Sequence, residues 1–354
     1  MNLIIPAAGK SSRFPGMKPK WMQTHPNGNL MIVEAIKGLN LASFEKVYIG
    51  VLNEHVKEYD FVSGLVKALS KIGIKEKIEI VTLDETQSQP ETVACILEKC
   101  QITGPIFIKD TDNFFQCEVT ADNFVAIYDI NEMGLVNAGN KSYVQINDDN
   151  RIINLVEKRI ISSYFCVGGY SFSSAIEYLE YFKRMENSNN LYISHIIFNM
   201  ILDNIPFGTK SVEKYEDWGT LQEWNRYKDT FGVLFVDIDG TLVENSGQFF
   251  EPVWGTTSAL QKNVDAINKL HDSGKVQIIL TTSRSEEYRQ TTLEQLKKFD
   301  IKYDQVIFNL YHARRIIIND YAKTNPYRCC DAINLKRNSD ELNDLLEAVM
   351  RTTI

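Results

Sequence analysis

The chain has 354 residues, and at about 150 residues per domain this length predicts two domains. Hydrophobic residues make up 44% and charged residues 24%, a composition that excludes a disordered chain, a collagen-like repeat and a disulfide scaffold. The net charge of −8 argues against a broad nucleic-acid-binding surface, because such a surface needs a basic face.

The start of the chain and its cysteines indicate a reducing, aqueous compartment. The first residues are apolar for only a short stretch and lack a basic leader, and no run reaches the roughly 20 apolar residues of a membrane span. No CxxC pair occurs among the six cysteines, at 95, 100, 117, 166, 329 and 330. We therefore expect reduced thiols and a cytoplasmic protein without a membrane span.

Strand-like and helix-like segments alternate along the first part of the chain. Apolar runs predict strands at residues 3–6, 46–52, 77–82, 105–109, 134–137 and 143–147. The intervening patterns predict helices, notably at residues 31–40 and 92–99. Such alternation is typical of a largely parallel sheet that is covered by helices on both faces.

A second series of the same kind begins at residue 232. It predicts, in chain order, a strand at 233–236, a helix at 257–273, a strand at 276–281, a helix at 286–299, strands at 305–308 and 315–318, and a helix from 339. No Pro, Gly or Ser-rich linker separates the two series, so the restart of the pattern sets the boundary. We predict two Rossmann-like α/β domains, residues 1–228 and 229–354.

The first predicted strand runs directly into a loop of small residues that is followed by cations. Small residues after a strand let backbone N–H groups approach a phosphate closely. Arg13 can bind phosphate oxygens with two donors, and Lys20, after Pro19, adds a point charge. The candidate phosphate-binding residues of the loop are Ala7, Ala8, Gly9, Ser11 and Ser12.

This opening resembles that of the sugar-phosphate nucleotidyltransferases, whose first strand leads into AAGxGxR and then PK. Ser11 stands where the second glycine is usual. The resemblance implies a GT-A-like nucleotidyltransferase fold over residues 1–228. It also implies that Arg13 and Lys20 act in catalysis by holding a nucleoside triphosphate.

Two aspartates match the positions at which this family binds Mg²⁺. One lies at the end of the strand that leads to Asp110-Thr-Asp112, where the resemblance favours Asp112 over Asp110. The other is Asp217, in a segment similar to the family's D-x-G-T near the end of the domain. Hard carboxylate oxygens suit Mg²⁺, the expected cofactor.

Further motifs of the same family follow in the expected order. Glu157 and Lys158 match the pair that contacts the sugar phosphate, although Arg159 replaces the usual proline, and Gly169 lies in the GxY pattern that follows. Gln89 lies before a helix where related enzymes contact the nucleotide. Its segment is equally well interpreted as a capping turn.

The most specific motif of the chain is Asp237-Ile-Asp239-Gly-Thr, after an apolar strand. The spacing places both carboxylates on one face of a strand that then turns. The motif resembles the first motif of the haloacid-dehalogenase (HAD) superfamily. The resemblance implies that Asp237 is the nucleophile that forms an aspartyl-phosphate and Asp239 the general acid and base, with both near Mg²⁺.

Supporting motifs of the second domain are looser. Thr282, or alternatively Thr281, matches the phosphate-contacting hydroxyl, and Arg284 closes that segment as a candidate substrate ligand. Asp320, after Asn319, would complete the Mg²⁺ site. The lysine of the third motif has no clear match, and the candidates for its charge are Arg314, Arg315 and Lys323. Only 42 residues separate Asp239 from Thr282, so we expect a minimally capped HAD-like fold.

Together these resemblances predict a bifunctional enzyme. The first domain would transfer a nucleotidyl group, with CMP favoured, from an NTP to a sugar or polyol phosphate. The second would hydrolyse a phosphomonoester, and the pair would supply activated precursors for surface polysaccharide. The alternative is that only the nucleotidyltransferase is active and that the HAD-like domain is a regulatory or binding module. The expected partners are small phosphorylated substrates, not nucleic acid, and a homo-oligomer is compatible with the sequence.

Overall fold

The computed structural model describes residues 1–133, 138–320 and 330–351. The strand predicted at 134–137 and the candidate cation Lys323 lie outside these residues. The chain divides into two compact units, Met1–Trp224 and a second that begins at Asn225. No helix in the described ranges is long and apolar enough to cross a membrane.

The first unit combines a large sheet with helices on both faces. Its strands are β1 Asn2–Pro6, β2 Val47–Leu52, β3 Ile78–Leu83, β4 Ile106–Lys109, β5 Asn113–Gln116, β6 Phe124–Asp129, β7 Ser142–Ile146, β8 Ile152–Glu157, β9 Tyr164–Phe172, β10 Gly208–Ser211 and β11 Glu213–Asp217. Its helices are α1 Met31–Ile36, α2 Asn53–Tyr59, α3 Val62–Ser70, α4 Gln89–Lys99, α5 Ala175–Met185 and α6 Ile193–Leu202. Helix α7, Leu221–Lys228, spans the division between the units.

The centre of the sheet is parallel, as the alternating pattern predicts. Strand β1 pairs with β2 on one side and with β4 on the other, and β3 continues the parallel array beyond β2. Side chains of β1 alternate between two core clusters, with Leu3 and Ile5 on one face and Ile4 on the other. The continuous apolar runs of these strands follow from burial on both faces.

Beyond β4 the sheet contains antiparallel pairs as well as one parallel pair, of β10 with β6, so the prediction of a largely parallel sheet is only partly correct. The long strand β9 pairs antiparallel with both β4 and β6, and the hairpin of β7 and β8 joins the same sheet through β9. A separate antiparallel pair is formed by β5 and β11. These strands lack a repeated helix between them, which is the signal on which a parallel prediction rests.

The second unit contains a smaller, parallel three-stranded sheet among the described residues. Its elements are β12 Gly232–Asp237, α8 Gln261–Asp272, β13 Val276–Thr281, α9 Arg289–Lys298, β14 Gln305–Ile307 and α10 Leu342–Arg351. The strand order is β12-β13-β14. The register pairs Asp237 with Thr281, so the two motifs predicted at the ends of β12 and β13 lie side by side.

The predicted strand at 315–318 is absent from the described part of this sheet. Its three isoleucines, Ile316, Ile317 and Ile318, are exposed in an irregular segment. A β-branched run has strand propensity, but a strand forms only where a neighbouring strand pairs with it. The prediction was wrong here because the local pattern does not specify that neighbour.

Gly38, just after α1, lies against the backbone of β5. A methyl group at Gly38 would lie 1.8 Å from the backbone oxygen of Phe115, which cannot move without displacing β5. We predict that Gly38→Ala lowers the free energy of unfolding by about 1–3 kcal/mol in urea titrations. The control is Gly64→Ala within α3, where the added methyl meets open space and should raise it by about 0.5–1 kcal/mol. Equal effects of the two substitutions would contradict this packing argument.

Candidate functional site

The loop after β1 is open around Gly9 and turns at Ser11. The Ala7 N–H donates to the Gly50 carbonyl at 2.8 Å, and a side chain at Gly9 would meet no atom within 4 Å. Ser11 has φ of 51°, the left-handed region that favours glycine. Its hydroxyl accepts a hydrogen bond from the Lys20 N–H at 2.9 Å. Serine therefore adopts the glycine-like turn and also ties the loop to the segment that carries Lys20.

Asp112 lies beside both cations of this loop region. Its carboxylate forms an ion pair with Lys20 and lies 3.6 Å from Arg13 Nη2. Burial alone would raise the pKa of Asp112, but the ammonium of Lys20 and the guanidinium of Arg13 outweigh burial and hold that pKa well below its ordinary value. The side chain is thus an ionised, acceptor-only group.

Asp217 reaches the same place from the other end of the unit. The antiparallel register of β5 with β11 sets Asp217 opposite Asn113, and the Trp218 N–H donates to the Asp112 carbonyl at 2.9 Å. A methyl group at Gly219 would lie 3.2 Å from Asp217 Oδ1, 3.4 Å from Asp112 Oδ2 and 3.6 Å from Arg13 Nη1. The two predicted metal carboxylates and the loop arginine therefore surround one point.

A lysine that the sequence reasoning missed compensates the charge of Asp217. Lys141, just before β7, forms an ion pair with Asp217 and donates to the Tyr215 hydroxyl at 3.0 Å. Its ammonium also lies 5.5 Å from the centre of the Phe165 ring. No local motif marks Lys141, because its partner is 76 residues away.

The donor set fits Mg²⁺ with few protein ligands. The described residues contain no cluster of three or more His, Cys, Asp or Glu side chains arranged to hold a metal. Mg²⁺ commonly takes one or two carboxylates and fills its remaining positions with water and phosphate oxygens. Asp112 and Asp217 supply such a pair, and each now faces an ammonium group.

A second buried lysine fixes the turn that presents Asp112. The Lys109 ammonium donates to Asn113 Oδ1 at 2.5 Å, to the Asn113 carbonyl at 3.0 Å and to the Asp110 carbonyl at 2.9 Å. Burial lowers the pKa of Lys109 to about 7, although Asp110 and Asp112 oppose the change. Burial, together with the charge of Asp112, raises the pKa of Asp110 to about 6. A lysine at the end of an apolar run is the signal that could have identified this group.

The predicted sugar-phosphate residues are presented at the end of β8. Glu157 accepts hydrogen bonds from Ser142 and Ser194, both at 2.6 Å, which satisfies one carboxylate oxygen. Lys158 has φ of 55° and donates to the Tyr192 hydroxyl at 2.6 Å. The serines and Tyr192 are contacts that the motif did not predict.

Gly169 has a packing role in the sheet. It pairs with Lys109 in the register of β4 and β9, and a methyl group there would lie 2.7 Å from the Phe115 ring. The preceding Gly168 is the glycine that faces the carboxylate of Asp110.

In the second unit, Asp237 lies at the carboxyl end of β12 with about half of its side chain exposed. Burial, together with the charge of Asp239, raises the pKa of Asp237 to about 6. Of the two candidate cations that the structure describes, Arg314 and Arg315, Arg315 forms an ion pair with this carboxylate, with Nη2 at 3.9 Å from Asp237 Oδ1. The carboxylate is accessible to a substrate.

Arg284 and Asp239 form an ion pair in the same unit. Arg284 is fully buried and donates from Nε to Asp239 Oδ2 at 2.9 Å and from Nη2 to Oδ1 at 2.8 Å. Its Nη1 donates to Thr292 and Gln295. Arg284 was expected to contact substrate, but its donors are directed to groups within the protein.

The remaining predicted residues of this unit differ in their burial and in their contacts. Thr282 is buried, and its hydroxyl accepts from the Arg284 N–H at 3.0 Å, while Thr281 donates to the Val236 carbonyl at 3.3 Å. Asp320 is exposed, and no ion pair or hydrogen bond within the described ranges joins it to Asp237 or Asp239. The ends of the first two motifs lie side by side, and no group of three His, Cys, Asp or Glu side chains that could hold a metal, with or without Asp320, is found among the described residues.

Solved structures share the fold of the larger unit. A nucleoside-diphosphate-sugar pyrophosphorylase from Vibrio cholerae RC9 is similar with a TM-score of 0.54 and 22% identity, over 64% of this chain and 98% of that chain. A candidate glucose-1-phosphate thymidylyltransferase from Bacillus anthracis, solved with sucrose, has a TM-score of 0.51 and 16% identity, over 64% of this chain and 92% of that chain.

The covered share is close to that of the first unit, Met1–Trp224. At these identities the similarity shows the fold alone, and it confirms a nucleotidyltransferase fold in this chain. No protein-family model and no curated protein sequence matches the chain.

Lys141→Met tests the charge compensation at Asp217. The variant leaves the nearly buried carboxylate of Asp217 without its cation. We therefore predict that the free energy of unfolding, measured by urea titration in metal-free buffer, falls by about 3 kcal/mol. Millimolar Mg²⁺ should recover more stability in the variant than in the wild type, because the ammonium no longer competes for Asp217. Lys46→Met, which breaks the exposed pair with Glu79, is the control and should change stability by less than about 1 kcal/mol. Similar losses in both variants, or no added response to Mg²⁺, would contradict the assignment.

Proposed function

We propose that the first unit transfers a nucleotidyl group from an NTP to a sugar or polyol phosphate and releases pyrophosphate. The observation that carries this proposal is the convergence of Asp112, Asp217 and Arg13 around Gly219, beside an open phosphate-binding loop. The similarity of fold to a nucleoside-diphosphate-sugar pyrophosphorylase supports it.

The chemistry requires that two anions approach each other. An oxygen of the sugar phosphate attacks the α-phosphorus in line with the leaving pyrophosphate, so the P–O bond to pyrophosphate breaks as the new P–O bond forms. Neutralising the phosphate charges therefore dominates the barrier. Mg²⁺ held by Asp112 and Asp217 would supply Lewis-acid charge to the reacting phosphates.

The cations of the chain bind the two phosphorylated substrates separately. Arg13 and Lys20, which flank the loop, hold the triphosphate, while backbone N–H groups near Gly9 approach its oxygens. Lys158 contacts the incoming phosphate, and Glu157, held by its two serines, orients the sugar or polyol. CTP is the favoured donor because the short AAGxGxR–PK opening is frequent among cytidylyltransferases.

A pyrophosphate-release screen tests this reaction. With Mg²⁺, one of the common NTPs and one of a panel of sugar and polyol phosphates, the wild type should release pyrophosphate. Asp112→Asn should lower the rate about 100-fold or more, because it removes charge from the reacting centre. Asp203→Asn, at an exposed pair with Tyr181 and Arg184, is the matched control and should retain the rate. No release with any pair, or equal rates in Asp112→Asn and the wild type, would overturn the proposal.

A second reaction is proposed for the second unit, where Asp237 is accessible at the end of a parallel strand. The Asp237 carboxylate would attack a phosphomonoester, the ester oxygen would leave with a proton from Asp239, and water would then hydrolyse the aspartyl-phosphate. Thr281 ends the neighbouring strand opposite Asp237, and Thr282 follows it.

The geometry of Asp239 also favours an alternative. Both of its oxygens accept from Arg284, and Ser246 donates to Oδ1 at 2.9 Å, so proton donation by Asp239 requires loss of these bonds. A module that binds a phosphorylated metabolite at Asp237 without turning it over accounts for this arrangement equally well.

Phosphatase assays distinguish the two possibilities. We predict that p-nitrophenyl phosphate or a sugar phosphate is hydrolysed with Mg²⁺, and that Asp237→Asn lowers turnover about 1,000-fold or more. Because the pKa of Asp237 is raised to about 6, its nucleophilic form is lost as the pH falls below 6, so turnover should rise through that value. Binding of the phosphate without turnover in the wild type would favour the binding module.

The wider setting is part of the same proposal. A nucleotide-activated sugar or polyol serves a downstream glycosyl or polyol-phosphate transferase, so synthesis of surface polysaccharide is the process that we propose. The partners are small phosphorylated molecules in the cytoplasm, and a homo-oligomer remains compatible with this role.

A further inference from the structure

Arg337 lies against the turn that follows the two carboxylates of the second unit, and the reaction proposed above does not use it. Gly240, the next residue after Asp239, has φ of 84°, and a methyl group there would lie 2.8 Å from Arg337 Cγ. The aliphatic stem of Arg337 therefore lies directly over Gly240, where a side chain would contact it. The fold thus brings a cation to the first motif from a segment far along the chain.

Hydrogen bonds and packing fix the backbone on both sides of Arg337. Asn338 has φ of 59°, a left-handed conformation in which asparagine is enriched. Its N–H donates to the Gly240 carbonyl at 2.8 Å, and its Oδ1 accepts from the Asn245 N–H at 2.8 Å. Leu335, two residues before Arg337, packs against the hydrophobic core of the unit. The position of this arginine is therefore set by the neighbours that it has in the chain.

Helix α8 joins the same two segments through a buried amide. Asn263 is fully buried and donates from Nδ2 to the Thr241 carbonyl at 2.7 Å and to the Ser339 carbonyl at 2.8 Å. Its Oδ1 accepts from the Leu342 N–H at 3.3 Å. The turn after the carboxylates and the segment that carries Arg337 are therefore held together.

The Arg337 guanidinium differs from the other two arginines that lie near these carboxylates. Arg284 is buried and donates to groups within the protein, and Arg315 forms an ion pair with Asp237. Arg337 is exposed, and within the parts of the chain that the structure describes no hydrogen bond or ion pair engages its guanidinium. Its N–H donors are therefore available to a ligand.

We propose that Arg337 binds a second anionic group of the substrate, a phosphate or a carboxylate remote from the phosphate that Asp237 attacks. The inference rests on the phosphomonoester chemistry proposed for the second unit and names the substrate class of that site. Asp237 and Gly240 are three residues apart, so their Cα atoms lie within about 11 Å of each other. A phosphorylated sugar or sugar acid can bridge this span.

A guanidinium suits this role because its planar fork donates two parallel hydrogen bonds to a carboxylate or a phosphate. Arg315 already faces Asp237, so the reacting phosphate meets a cation without Arg337. Loss of Arg337 should therefore weaken the binding of doubly anionic substrates and leave the reacting centre unchanged.

Phosphatase kinetics with matched substrates test the inference. Sorbitol 6-phosphate is compared with 6-phosphogluconate, which carries an added carboxylate, and fructose 6-phosphate with fructose 1,6-bisphosphate, which carries an added phosphate. The wild type should show a KM about tenfold lower for the doubly anionic member of at least one pair, and the pair identifies the anion. Arg337→Gln should raise that KM about tenfold with kcat unchanged, and should leave turnover of p-nitrophenyl phosphate unchanged.

Two further variants control for charge and for fold. Lys336→Gln removes the same charge from the neighbouring exposed side chain and should change each KM less than about twofold. Arg337→Lys keeps the charge without the planar fork and should recover part of the preference.

The outcomes separate this inference from the proposed hydrolysis. Equal losses with all substrates in Arg337→Gln, p-nitrophenyl phosphate included, would overturn the inference, as would an unchanged KM ratio. Calorimetry with the same compounds applies if the wild type turns none of them over. Tighter binding of a doubly anionic compound that depends on Arg337 would then retain the inference and reject the hydrolysis. A wild type that neither hydrolyses nor binds the doubly anionic compounds in preference would overturn the inference.

Discussion

The first unit depends on the balance of charge at one edge of its sheet. Asp110, Asp112 and Asp217 lie there with little exposure, and buried carboxylates are stable only when cations or hydrogen bonds compensate them. Lys20 and Lys141 supply the cations, and Gln89 supplies the hydrogen bond to Asp110. The same concentration of carboxylates and ammonium groups suits this edge to the phosphates and the divalent ion of the proposed reaction, whose binding would exchange one set of ion pairs for another.

The antiparallel strands bring residues to this edge that the parallel strands alone do not supply. A parallel sheet alone would bring together the ends of β1 and β4. Strand β9 adds Gly168 beside Asp110, and the β5–β11 pair adds Asp217 beside Asp112. The end of α1 contacts β5 without an intervening side chain at Gly38, so packing of the helix also holds the strand that follows Asp112.

In the second unit, one carboxylate is compensated by an arginine and the other stays exposed. Asp239 is compensated by one fully buried arginine rather than by a lysine, and the hydrogen bonds that this arginine donates go to groups within the protein. Asp237 remains open and near its protonation midpoint at mildly acidic pH. The unit therefore combines an accessible nucleophile with an immobilised second carboxylate, and this contrast is why hydrolysis and simple binding are both considered.

The sequence by itself determined the buried parallel strands and the carboxylates at the strand ends, because the periodicity of apolar residues and the residues that follow a strand are local properties. It also indicated two α/β units, and the fold of the larger one is confirmed. Only the tertiary structure decided which polar and charged side chains pair: Lys141 with Asp217, Arg284 with Asp239 and Gln89 with Asp110. It likewise left 315–318 without a strand partner. These outcomes depend on register and packing between distant segments, and no pattern within one segment encodes them.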